Sequence, residues 1–203
     1  MELVVPSAVE VGTTRARISL YWLPLGAGDH CVHANGRVYE AIVARYERRP
    51  VCDLYHSALE VELDEDSYVI ESAPAWGSTA SERGVVGVGP VGLSWLGHSR
   101  FFRYEVRRWR DGVIPDAAAA VGGPLLVSTA RVKVERLLGL VPHFPTATWG
   151  RDELRAGEMW NSNSLIAWLL ARSGHDVEVL RPPAFGRAPG WSAGLVVAAR
   201  RPC

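Results

Sequence analysis

From Arg15 to Leu23, the residues Ala16, Ile18, Leu20 and Trp22 alternate with Arg15, Arg17, Ser19 and Tyr21, the two-residue period of a half-buried strand. Between Gly36 and Arg48 the period lengthens. Val38, Ile42, Val43 and Tyr46 fall at helical spacing and Pro50 stands just beyond as a stop, so a helix is expected there. Two further alternating runs, Leu54 to Leu63 and Ser67 to Ala73, flank the acidic turn Asp64-Glu65-Asp66 and predict a hairpin. Ala75 to Gly97, with its run GVVGVGPVG, holds no period and is expected to be an irregular surface loop bordering a binding cleft.

Phe102, Tyr104 and Val106 alternate with arginines and Glu105 in a further strand, and a short helix is expected over Asp116 to Val121. A longer helix is expected from Ser128, a capping residue, to Leu138, with Gly139 and Pro142 ending it. Asn163 to Ser173 is apolar on nearly every face and stops at Gly174, which predicts a helix buried at the centre of the domain. Ala193 to Ala199 reads as a closing edge strand. Separate helices and antiparallel strands make the expected class α+β, in one domain spanning residues 1–203.

Composition narrows the functions. The 22 basic and 22 acidic residues cancel, so no net field draws the chain to nucleic acid or to an anionic membrane surface. All the basic residues but Lys133 are arginine, the mark of a compositional bias rather than of chemistry. The opening MELVVPSAVEV lacks the cationic and long apolar regions of a secretory signal, and no segment is apolar for the roughly 18 residues that span a bilayer. A soluble, cytoplasmic protein is the expectation. Cys31, Cys52 and Cys203 are odd in number and irregular in spacing, which suits a reducing compartment better than a disulfide framework.

Two segments carry candidate chemistry. In YHSALEVELDEDSYVIESAP, His56 opens the first strand of the hairpin and Glu71 falls in the second. In GEMWNSNSLIAWLLARSG, the polar cluster Asn161-Ser162-Asn163-Ser164 immediately precedes the buried helix. A hydroxyl at a helix start lies among free N–H groups at the positive end of the dipole, where an oxyanion is stabilised. An imidazole in reach takes its proton, and a carboxylate fixes the imidazole's tautomer.

In their order and context these segments resemble the circularly permuted papain-like hydrolases of the NlpC-like superfamily, including the YiiX-like and lecithin retinol acyltransferase-like proteins. The resemblance covers Leu54 to Ala73 and Met159 to Gly174. It implies an antiparallel sheet packed on a central buried helix, with Ser162 where the family has its cysteine nucleophile, His56 as base and Glu71 as the group orienting it. Asn161 and Asn163 would help form an oxyanion or binding site, and no cofactor is implied. The implied activity is hydrolysis or acyl transfer at an amide, ester or thioester of a small-molecule, peptide or acyl substrate. The departure at Ser162 leaves a second reading open, an inactive papain-like domain that binds a peptide or acyl ligand.

Plainer roles stay open too. Ser162 is a natural helix N-cap, His56 could be a packed strand histidine, and Glu71 a solvated residue. With a two-residue turn, Glu71 is expected across from Glu60, about four residues along the strand from His56 and out of direct reach. His30, Cys31, His33, Cys52 and His56 offer ligand atoms, but C-x-H followed far downstream by C-x-x-x-H matches no common zinc spacing, and no metal is expected. Cys31 and Cys52 read as inert thiols, and the glycine run lacks the Gly-Lys-Ser/Thr of a phosphate loop.

Overall fold

The computed structural model describes residues 15–25, 40–41, 44–46, 48–75 and 83–200. Among these, seven strands form one open sheet: β1 (Ala16–Pro24), β2 (Asp53–Leu63), β3 (Asp66–Pro74), β4 (Val85–Pro90), β5 (Arg103–Arg110), β6 (Leu125–Ser128) and the short β7 (Gly186–Arg187). Their order is β4-β5-β3-β2-β1-β6, all antiparallel, with β7 added in parallel at the start of β2. Besides the helical residues at 40–41 and 44–46, three α-helices accompany it among the described residues: α1 (Arg131–Leu140), α2 (Ser162–Arg172) and α3 (Trp191–Ala199). The fold is mixed α/β.

Strand alternation gives the sheet two distinct faces. On one, Ile18, Leu20 and Trp22 of β1 lie opposite Val61, Leu59 and Ser57 of β2, and the apolar members join the main core with α2. On the other, Tyr21 and Leu23 lie opposite Ala58 and His56, and Leu23 and Ala58 join a smaller core with Val69 and Ile114. Residues from Ser162 to Leu170 are buried without interruption, which explains why this helix shows no polar stripe in the sequence.

The expected hairpin of β2 and β3 is present, with a turn one residue shorter than Asp64-Glu65-Asp66 because Asp66 already belongs to β3. Leu63 pairs with Asp66, and Asp64 takes a positive φ of 56° between them. Arg131 at the start of α1 grips the Asp64 carboxylate with both Nη atoms, at 2.6 and 2.7 Å, tying the turn to the helix.

Several expectations need correction. The stretch 85–90, expected to be loop, is strand β4, and a 3-10 turn (Ser94–His98) follows. Its glycines are there for packing: a Cβ on Gly89 would stand 2.3 Å from the buried ring of Tyr104 on β5. The expected edge strand 193–199 is helix α3. A short apolar run does not distinguish the two, and the choice is made by Gly194, where a Cβ would meet the carbonyl of Ser164 at 2.4 Å and Ala167 at 2.9 Å. That glycine lets α3 lie directly against α2. Ser128 ends β6 rather than capping α1, which starts three residues later, and the expected helix 116–121 is a single 3-10 turn (Ala117–Ala119).

Glu40, Ala41 and residues 44–46 are helical, and the rest of the helix expected over 36–48 lies largely outside the described residues. So do the opening segment, His30, Cys31, His33 and Cys203. Among the described residues no helix is long and apolar enough to cross a membrane.

Candidate functional site

The start of α2 is built from the four-residue cluster singled out in the sequence. Asn161, not Ser162, is the N-cap: its Oδ1 accepts the amides of Asn163 (2.9 Å) and Ser164 (3.4 Å). Ser164 Oγ reciprocates by accepting the Asn161 amide at 3.1 Å, which completes a capping box. Asn161 Nδ2 donates to Pro189 O at 2.8 Å, and Ser164 Oγ donates to Gly190 O at 2.8 Å. The loop leading into α3 is thereby fastened to the start of α2. Gly190 has φ 88°, and a Cβ there would stand 2.3 Å from Asn161 Oδ1, so the contact requires glycine.

Asn163 joins α2 to the sheet. Its Nδ2 donates to Tyr55 O (2.9 Å) and Pro189 O (2.8 Å), while its Oδ1 accepts Ser57 Oγ at 2.8 Å. Every polar atom of this 2% exposed side chain is therefore used. Ser162 itself is buried, and its hydroxyl makes no hydrogen bond among the described residues.

The sheet meets this helix start with residues adjacent to the expected ones. Ser57 bonds to Asn163, so His56, one position back on β2, projects from the opposite face. It lies opposite Leu23 in the register, on the side of the smaller core. Burial lowers the His56 pKa, with the charge of Asp116 opposing the shift. On β3 the same alternation puts Ser72 with Ile70 on the α2 face and Glu71 with Val69 on the other. The Ser72 hydroxyl is buried without a hydrogen-bond partner among the described residues.

Glu71 is not a partner of His56. Arg107 Nη1 donates to its Oε1 at 2.8 Å, while Arg107 Nε and Nη2 bond Glu105 Oε2 at 3.0 and 2.9 Å. With Leu63 paired to Asp66 across the turn, the register puts Val69 opposite Glu60, two residues short of the expected Glu71. Glu71 is thus nearer the level of His56 than expected, but a guanidinium occupies it. The structure gathers Ser162, Asn161 and Asn163 at one helix start, and places His56 and Glu71 behind the sheet.

Two further groups bear on the chemistry. Burial raises the Glu158 pKa, opposed by the amides of Gly190, Ser192 and Ala193 at the start of α3 and by Arg187. Burial likewise raises the Cys52 thiol, which donates to Glu40 Oε1 at 3.1 Å, and that environment suppresses rather than promotes a thiolate. Among the described residues no three His, Cys, Asp or Glu side chains are grouped to hold a metal.

Ser57, Ser72 and the Pro189-Gly190 loop were not anticipated. A signal for the first exists: Tyr55, Leu59, Val61 and Leu63, four of the five large apolar residues of β2, share the parity of Ser57, whereas His56 shares that of Leu54, Glu60 and Glu62. Parity marks the face toward the buried helix.

Away from the helix start, two shallow depressions adjoin each other. One, of about 320 Å³, is lined by Val88, Pro90, Ser94, Gly97, His98 and Arg103 among others. The second, of about 250 Å³, is lined by residues including Leu93, Thr148, Arg151 and Glu153. The segment expected to border a cleft supplies most of the first and half of the second. Compared with family models, curated proteins and solved structures, the chain matches none.

Proposed function

We propose that this chain is a papain-like domain of permuted order that binds a peptide or acyl ligand and does not carry out nucleophilic catalysis. The observation that carries the reading is the Ser57–Asn163 hydrogen bond at the start of α2, which fixes the parity of β2 and turns His56 to the far face of the sheet. A serine hydroxyl is a weak nucleophile that depends on its base, and the sheet residue engaged at that helix start is a serine. The capping box and the Asn163 anchor also spend the polar groups of the helix start on structure.

The hydrolase or acyltransferase reading retains one supporting observation. Capping falls to Asn161, so the Ser162 hydroxyl is left unused by the role that would most simply account for it. A fluorophosphonate probe separates the two. The expected result is no labelling at Ser162 beyond that of a Ser162→Ala control. Labelling at Ser162 that disappears in His56→Ala would restore the enzyme reading, because only a base-activated serine reacts in that pattern.

A further inference from the structure

Trp95, Phe101 and Phe102 sit on two successive 3-10 turns (Ser94–His98 and Arg100–Phe102), Leu93 caps the first, and all four are exposed, Trp95 to 67% and Phe101 to 65%. Large apolar residues concentrated at one exposed place mark an interaction surface. The turns holding them are built. Arg103 donates to the carbonyls of Gly97 and His98, Arg151 Nε donates to Gly92 O at 2.7 Å, and the Val91 amide bonds Phe102 O at 2.8 Å. A Cβ on Gly97 would meet Pro90 at 2.9 Å, so the first turn lies tight on β4.

The chain segment that carries these residues has charge of one sign. From Arg83 to Tyr104 the chain contains no Asp or Glu, while Arg100 and Arg103 bracket Phe101-Phe102 and His98 precedes them. The balanced total charge conceals this local bias. Glu153 is the acidic neighbour at the edge of the adjoining depression, and its carboxylate is engaged by the Thr148 amide.

We infer that this surface docks the domain on an anionic lipid bilayer, with Trp95, Phe101 and Phe102 entering the interfacial layer and the positive charge of Arg103 and Arg151 drawn to the headgroups. Aromatic side chains favour that layer, and nearby basic residues gain from the negative surface potential. A bilayer suits the shape better than a peptide does. Neither of the two depressions is lined by Trp95, Phe101 or Phe102, and all three side chains are exposed. The inference rests on the binding reading for its ligand, since a bilayer is where acyl chains are presented.

The test is co-sedimentation of the full chain with phosphatidylcholine vesicles, with and without about a quarter phosphatidylserine. The expected result is pelleting with the anionic vesicles, weaker pelleting with the neutral ones, and loss at raised salt. The exposed double variant Trp95→Ala/Phe101→Ala, with unchanged melting, should cut the partition coefficient about tenfold or more. No pelleting of the wild-type chain, or equal pelleting of the double variant, would overturn the inference. So would a wild-type chain that ignores vesicles but self-associates or binds a synthetic peptide through Trp95. Failure here with Ser162 still unlabelled by fluorophosphonate removes the docking surface alone, whereas labelling at Ser162 removes the reading beneath it.

Discussion

Arg107→Met is expected to destabilise the protein by about 3–5 kcal/mol, the usual cost of leaving buried charge without its partner. Arg107 is 3% exposed and Glu105 5% exposed, and the guanidinium serves Glu105, Glu71 and the Pro74 carbonyl together. Removing it strands two carboxylates on adjacent strands of a sheet face where water reaches little of Glu105. A urea titration measures the loss directly. Adding Glu105→Met should recover a large part of it, because an apolar pair of similar volume is often no worse than a buried ion pair. A stability change under about 1 kcal/mol for Arg107→Met would show that water or rearrangement solvates these carboxylates.

Asn163→Ala should cost about 2–4 kcal/mol, while Ser162→Ala stays within about 1 kcal/mol. The difference follows from the partners. Asn163 satisfies Tyr55 O, Pro189 O and Ser57 Oγ, all at a buried site, and each orphaned group carries a desolvation penalty. Ser162 satisfies no described partner, and the cap it was expected to supply is made by Asn161. Thermal or denaturant unfolding of the two single variants checks the ranking. Equal losses, or a larger loss at Ser162, would mean that the hydroxyl has a structural role which these contacts do not contain.

Much of the fold was legible because it depends on local periodicity. The β2–β3 hairpin, β1, β5 and the buried helix α2 were each written in a clear two-residue pattern or an unbroken apolar run. What escaped depended on tertiary contacts. The Val85–Pro90 strand carries glycines because the Tyr104 ring lies over it, so a packing requirement looked like flexibility. The apolar run at Trp191–Ala199 became helix because Gly194 allows contact with α2, a partner that no local pattern names.

The candidate site was half legible for a similar reason. Asn161 to Ser164 was recognisable as a polar helix start, and its residues do gather there. Pairing it with His56 required the face of β2 as well, and in a strand an error of one residue reverses the face. The large apolar residues Tyr55, Leu59 and Val61 carried that information in the sequence. The role of Glu71 was hidden because Arg107, thirty-six positions away, meets it only once β3 and β5 are paired.

The most direct test of the separation between Ser162 and His56 is the alkylation rate of Ser162→Cys, measured with and without His56→Ala. A helix start alone lowers a thiol pKa, so the absolute rate is less informative than its dependence on the histidine. With His56 behind the sheet, the introduced thiol should alkylate at the same rate in both backgrounds, and no faster than the native cysteines, since position 162 is buried. An introduced thiol that reacts about tenfold faster than the native cysteines, and loses that advantage in His56→Ala, would place the imidazole beside the helix start and contradict the account.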